Sequence, residues 1–245
     1  MTVDGKFSTV YAYDKNNRLM TETRTPVTAT STNLPEKVTY AYDNNGNTKS
    51  KTTVKGPEAS PVSRTEVKYD YDGFNQLTKV TEGSHVYAYS YSGDGLRYQK
   101  TIDGTTTYQI WDGQQIAAEM NSSGTITNKY IRGINLIYAS DTGGNKKHYL
   151  YDGHGDVVQL TNSQGQVIKD YNYDAFGNEV SPDVNDTNPF RYCGEYWDKE
   201  TGTYYLRARY YSPRIGRFTT EDSYWGKGAD PLSLNLYTYC GNDPV

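Results

Sequence analysis

Tyrosines recur along the first three quarters of the chain in one local pattern. Two aromatic residues flank a third residue and an acid follows: Tyr11-Ala12-Tyr13-Asp14, Tyr40-Ala41-Tyr42-Asp43, Tyr69-Asp70-Tyr71-Asp72, Tyr149-Leu150-Tyr151-Asp152 and Tyr171-Asn172-Tyr173-Asp174. Weaker copies, Tyr89-Ser90-Tyr91-Ser92 and Ile110-Trp111-Asp112-Gly113, fill the middle. The second aromatic falls at 13, 42, 71, 91, 111, 151 and 173, giving steps of 29, 29, 20, 20, 40 and 22. The step of 40 is two of 20, with the intervening copy at Tyr130-Ile131-Arg132-Gly133. The chain is therefore a repeat with a period of about 20 residues, carrying insertions near 26–35 and 57–61.

On a strand, successive side chains alternate, so the two rings of Tyr-x-Tyr share one face. The acid opens a polar cluster, as in Asp43-Asn44-Asn45-Gly46-Asn47 and Asp72-Gly73-Phe74-Asn75. Asx side chains bond their own backbone, and Asn and Gly tolerate positive φ, which makes a tight reversal. A second alternating run follows, such as Leu77-Thr78-Lys79-Val80-Thr81, and the 29 threonines favour strands. Each copy thus predicts one β-hairpin. The short run Gln114-Gln115-Ile116-Ala117-Ala118-Glu119-Met120 lies between turn signals and reads as strand. A lone hairpin is marginal. A row of hairpins can pair edge to edge into one curving sheet, with the tyrosines in cross-strand ladders. So few hairpins leave at least one open edge, which implies self-association.

Composition changes one point. Val, Leu, Ile and Phe total only 40 of 245 residues, while Tyr alone supplies 26. Low aliphatic content signals disorder only with high net charge, and here the charge is −4. The core therefore runs on Tyr, whose ring buries while its hydroxyl finds a partner. Weak acidity argues against nucleic-acid binding. The longest apolar runs, such as Ile116-Ala117-Ala118, are far from the roughly 20 residues of a membrane span. The first residues, Met1-Thr2-Val3-Asp4-Gly5-Lys6, lack the pattern of a secretory signal. Cys193 and Cys240 form no disulfide framework, and His85, His148 and His154 show no metal-ligand spacing. The turn acids lack the distal Glu and flanking helices of a calcium loop. No metal and no cofactor is expected. Exposed Tyr faces would alternatively offer stacking platforms for carbohydrate.

From Asn188 the composition shifts. Pro189-Phe190-Arg191-Tyr192-Cys193-Gly194-Glu195-Tyr196-Trp197-Asp198 leads through a turn at Lys199-Glu200-Thr201-Gly202 into Thr203-Tyr204-Tyr205-Leu206-Arg207-Ala208-Arg209-Tyr210-Tyr211, and then Gly216-Arg217-Phe218. The two flanks read as the arms of a hairpin, with Arg207 and Arg209 on one face. Arg interleaved with Tyr and acids (Glu195, Asp198, Glu200, Glu221, Asp222) reads as internal ion pairing and cation–π stacking.

The Tyr-Asp repeats followed by this block resemble the Rhs/YD-repeat family, the block being similar to its Rhs-associated core, and the tail Leu234-Asn235-Leu236-Tyr237-Thr238-Tyr239-Cys240-Gly241-Asn242-Asp243-Pro244 continues the likeness. The resemblance implies an all-β fold: hairpin repeats spiralling into part of a hollow β shell, with a C-terminal core or plug. It divides the chain into a hairpin array over 1–180 and an Rhs-associated core region over 181–245. The implied role is encapsulation of a C-terminal toxin domain in a bacterial polymorphic-toxin protein, secreted or at the cell surface. The toxin domain and the rest of the shell are then the partners. A carbohydrate-binding adhesion module is the alternative.

The family core also cleaves itself in some members, with two carboxylates acting as in an aspartyl protease. By resemblance, Asp222 after Gly216-Arg217-Phe218 is one of them and Arg209 assists. The second carboxylate belongs to a D-P-x-G motif beyond the N-x-P segment, which here is Asn242-Asp243-Pro244. The chain is expected to stop short of that motif. Ser223-Tyr224-Trp225 also stands where relatives carry Asp-Pro. At most half an autoproteolytic site is expected, and no enzyme.

Overall fold

In the computed structural model, residues 2–3, 7–28, 30 and 33–245 are described. Parts of the expected 26–35 insertion and of the N-terminal segment lie outside these residues. The protein is all-β, and the described helical elements are three short 3-10 turns, Tyr192–Gly194, Pro231–Leu234 and Cys240–Asn242. Two compact units form, one from 1–86 with 219–237 and the other from 87–218 with 238–245.

The first unit holds β1 (Thr2–Val3), β2 (Phe7–Tyr13), β3 (Leu19–Pro26), β4 (Glu36–Tyr42), β5 (Thr48–Lys55), β6 (Ser63–Tyr71) and β7 (Leu77–Glu82), each antiparallel to the next. The second holds β8 (His85–Tyr91) apart from its first two residues, β9 (Arg97–Ile102), β10 (Thr105–Asp112), β11 (Gln115–Asn121), β12 (Ile126–Arg132), β13 (Leu136–Asp141), β14 (Lys146–Tyr151), β15 (Val157–Thr161) and β16 (Val167–Asp170). These too pair antiparallel in sequence order. The hairpin reading therefore holds, including the strand over 115–121 and the intervening copy at Tyr130. A separate four-stranded sheet follows, of β17 (Tyr196–Asp198), β18 (Thr203–Tyr205), β19 (Tyr210–Ser212) and β20 (Arg217–Phe218).

One turn chemistry repeats. At Asp14 a single carboxylate oxygen accepts the N–H groups of Asn16 and Arg18, both at 2.9 Å. Asp43, Asp72, Asp141, Asp152 and Asp174 accept from the residues two and four positions on in the same way. The residue three positions on takes positive φ: Asn17 at 61°, Gly46 at 78°, Asn75 at 62° and Gly155 at 95°. Only Gly, and Asn at modest cost, visits that region routinely, which explains the Asn/Gly content of the clusters.

The second aromatic sits at a bulge in six copies, with register shifts at Tyr13, Tyr42, Tyr71, Tyr91, Trp111 and Tyr151. In four copies the polar atom of the second aromatic reaches back one hairpin. Tyr42 donates to the Leu19 carbonyl at 3.0 Å, Trp111 Nε1 to Arg97 at 2.8 Å, Tyr151 to Leu136 at 3.0 Å and Tyr173 to Val157 at 3.1 Å. Each acceptor is the first residue of a strand, immediately after a turn. The first tyrosine is a core residue in several copies: Tyr40, Tyr89, Tyr149 and Tyr171 are buried, as are the aliphatic Leu19, Val38, Val80, Leu136 and Val157, while Tyr11 and Tyr69 are half-buried. In each unit the Tyr-Asp turns join strands at one end of the hairpins, and the described connections between hairpins, including 56–62, lie at the other.

Two expectations change. Tyr171-Asn172-Tyr173-Asp174 keeps its turn but makes only a bridge, Tyr173 to Glu179. Its backbone serves the core segment instead, with Ala175 and Gly177 carbonyls accepting the Tyr192 and Tyr204 hydroxyls. The arm expected over 204–211 is broken. Leu206 N–H bonds the Arg209 carbonyl at 3.0 Å and Arg207 takes φ 60°, so the chain reverses between β18 and β19. Arg207 and Arg209 therefore do not share a strand face.

Candidate functional site

The second unit is organised around a buried charge cluster. Arg97 opens β9 directly after a turn, where other hairpins place Leu19, Leu77 or Val157. Its guanidinium reaches Asp198 at the end of β17 through two bonds, Nη1 to Oδ2 at 2.6 Å and Nη2 to Oδ1 at 3.0 Å, and both side chains are fully buried. Lys100 Nζ adds a contact to Asp198 Oδ1 at 2.8 Å and one to Glu200 at 3.1 Å. Arg97 also donates to Gln109 at 3.1 Å and to the Tyr210 hydroxyl at 3.0 Å. The rings of Tyr89, Tyr196, Tyr205 and Tyr210 surround it at 4.2–5.8 Å. Burial alone would raise the Asp198 pKa, but Arg97 and Lys100 outweigh it and hold the carboxyl below its ordinary value. Burial opposes charge on Lys100 as well, and Asp198 and Glu200 keep its pKa above the usual one.

A second set of contacts extends this attachment of 188–211 to the repeat strands. Glu119 on β11 accepts the hydroxyls of Tyr130 at 2.7 Å and Tyr196 at 2.6 Å. Phe190 packs edge-on to Tyr130, Tyr149 and Tyr196 at 4.9–6.4 Å, and such pairs add about 0.5–1.5 kcal/mol each. Arg191 bonds Glu179 at 2.6 Å and Asp186 at 3.2 Å. Gly177 (φ 85°) lies so close under Tyr192 that a Cβ there would meet ring carbons at 2.6 Å. In the first unit, 219–237 returns to the Asp43 turn: Thr48 N–H donates to the Thr219 carbonyl at 3.0 Å and the Tyr237 hydroxyl to Gly46 at 2.7 Å.

The residues singled out for self-cleavage fall in different units. Arg209, in the second, is half-buried and lays its guanidinium 3.6 Å from the Phe218 ring centroid. Asp222, in the first, is half-buried. Its backbone N–H bonds Leu236 at 2.9 Å, and its carboxylate accepts the Tyr224 N–H at 2.9 Å.

The second unit also assembles a group that sequence spacing did not reveal. His154, Asp156 and Cys193 bring one potential ligand atom each within 4.8 Å of the others. His154 Nδ1 lies 3.1 Å from Asp156 Oδ1 and 3.9 Å from Cys193 Sγ. The Cys193 N–H donates to Asp156 Oδ1 at 2.7 Å, from a residue at φ 52°. Burial pushes the Cys193 thiol up to about 12. His154 and Cys193 are 39 residues apart, so only the fold unites them.

Tandem hairpins with Tyr-x-Tyr-Asp turns, joined through buried ion pairs to an aromatic core segment, define a hairpin-repeat protein with an associated core. Residues 1–245 match the Teneurin YD-shell family, and the chain belongs to it as a shell module. Among relatives, the tRNA3(Ser)-specific nuclease WapA of Bacillus spizizenii is 39% identical over 187 residues, 72% of this chain but 8% of that protein. Toxin protein Tse5 of Pseudomonas aeruginosa is 36% identical over 98 residues, 38% of this chain and 7% of that protein. The chain thus spans less than a tenth of either. The TcdB2-TccC3-Cdc42 crystal structure matches with TM-score 0.57 and 19% identity over 97% of this chain and 15% of that one. The Photorhabdus luminescens Tc holotoxin pore matches with TM-score 0.57 and 18% identity over 97% of this chain and 15% of that one. Those two likenesses concern the fold.

Proposed function

We propose that this chain is a structural encapsulation module of a bacterial polymorphic-toxin protein, whose shell encloses a C-terminal toxin domain. In this reading 1–180 supplies wall hairpins and 181–245 is the associated core. The partners are the toxin domain and the remaining shell, and the parent acts as a secreted or surface protein. The observation that carries the reading is the family match along the whole chain, in relatives that include a protein named a toxin and one named a nuclease. The buried Arg97–Asp198 lock supports a passive, rigid role, because it commits two fully buried charges of the second unit to structure. Tyr40, Tyr87, Tyr89 and Tyr149 are buried, which favours packing over stacking on sugars. Asp222 and Arg209 are proposed as one part of a self-cleavage site, with no activity in this chain alone.

The test is protease protection in the full-length parent protein. The domain that follows the core should resist digestion until the shell is unfolded. Digestion at the rate of the isolated domain would overturn the encapsulation reading.

A further inference from the structure

We propose that His154, Asp156 and Cys193 form a binding site for a zinc-class divalent cation. The second ring nitrogen carries the argument. His154 Nε2 lies 2.7 Å from the Pro244 carbonyl oxygen, which can only accept, so Nε2 bears the proton. Nδ1 faces the Asp156 carboxylate at 3.1 Å and the Cys193 sulfur at 3.9 Å, so without a metal it holds a proton against Asp156, and a cation would take that proton's place. Three atoms able to ligate a cation thus converge within 4.8 Å of one another. A metal-ligating histidine characteristically gives its other N–H to a carbonyl or carboxylate in this way, which fixes the ring and its tautomer.

The spacings fit. Zinc bonds of about 2.0–2.3 Å to O, N and S place tetrahedral ligand atoms roughly 3.3–3.7 Å apart, so the 3.1 and 3.9 Å separations from His154 Nδ1 need shifts of a few tenths of an ångström, and the third separation lies within 4.8 Å. One imidazole, one carboxylate and one thiolate make a mixed set suited to zinc rather than to calcium or magnesium. Asp156 and Cys193 are already tied by the 2.7 Å bond to the Cys193 N–H, so two ligands are pre-positioned. His154 and Cys193 line a cavity of about 250 Å³ that gives the ion a way in. On the same wall Arg207 is paired with Glu195, and Arg132 lies over the Phe190 ring. On binding, the Nδ1 proton of His154 and the thiol proton of Cys193 leave to solvent, and the fourth position stays open for water or a partner's donor atom. The ion would cross-link the Asp152 turn to the core segment.

The experiment titrates the purified chain with Co²⁺ and then Zn²⁺. One Co²⁺ per chain should bind with a thiolate-to-cobalt charge-transfer band and tetrahedral d–d bands, and one equivalent of Zn²⁺ should displace it. His154→Ala and Cys193→Ser should each weaken binding at least about tenfold, with Cys193→Ser abolishing the charge-transfer band. Cys240→Ser, which alters the neighbouring exposed thiol, should change nothing. Zn²⁺ should raise the melting temperature of the unaltered chain and not that of folded His154→Ala. Absence of a stoichiometric site, binding that survives both ligand variants, or loss only in Cys240→Ser would overturn the proposal.

Discussion

Replacing Asp198 by Ala should be among the most damaging single substitutions in the second unit. Both Arg97 and Asp198 have side chains with no exposure, and Lys100 shares the same carboxylate with its side chain 13% exposed. Removing the carboxylate strands two cations in a tyrosine-lined interior. Breaking a buried pair from one side costs about 3–5 kcal/mol. For a chain of this size that lowers the melting temperature by roughly 6–20 °C. The acid side of the pH profile carries its own signature. The folded pKa of Asp198 is depressed, so its contribution is fully present above the unfolded value of about 3.9 and is lost as pH falls through the folded value. Calorimetry at pH 7 should show the full gap between Asp198→Ala and the parent chain. The gap should narrow below about pH 4, where the unfolded carboxyl is protonated. Asp198→Asn should fall between the two, since it keeps shape and some hydrogen bonding while losing charge. A melting-temperature change of less than about 2 °C for Asp198→Ala at pH 7, within the effect of an ordinary surface change, would refute the claim that this pair anchors the core segment.

Other outcomes follow from single contacts. Gly177→Ala should lose roughly 2–5 kcal/mol in urea unfolding, from left-handed backbone strain plus overpacking against Tyr192. Asp43→Ala removes the acceptor of the Asn45 and Asn47 N–H groups and should lose about 1–2 kcal/mol by the same assay, with Asp43→Asn milder. Prolonged incubation at several pH values should leave the chain intact by mass spectrometry, and an internal cut that disappears in Asp222→Asn would contradict the part-site reading. Among the described residues β16 pairs only with β15. Light scattering over a dilution series should therefore show concentration-dependent association, and a monomer at every concentration would count against an open edge.

The repeat was legible because its determinants are local. Tyr-x-Tyr sets a face, and the next acid binds N–H groups only two and four residues on, so eight consecutive residues carry the instruction. The core segment was legible in its aromatic content but not in its path. Nothing near Leu206 announces the reversal before β19, because it depends on Arg207 adopting φ 60° while paired with Glu195 at 2.5 Å. The Arg97–Asp198 lock joins residues 101 apart. One signal for it was present. The position five after the turn acid or its Ser92 equivalent is apolar in Leu19, Leu77 and Val157 but charged in Arg97, Lys146 and Glu179. Lys146 is exposed, whereas Arg97 and Glu179 are buried or nearly so and ion-paired to the core segment. The His154 group left no comparable trace, because its third member arrives from a separate element.

The backward reach of four second aromatics has a consequence for how such chains can vary. Tyr42, Trp111, Tyr151 and Tyr173 act as fixed rungs, each clamped to the strand start one hairpin earlier. Lengthening a Tyr-Asp turn would pull a rung off its seat. Among the described residues the opposite connections carry no such clamp, and 56–62 is already a long one. Growth, decoration and grafted peptides therefore belong at that end of each unit's hairpins, which leaves the clamped end to keep its spacing.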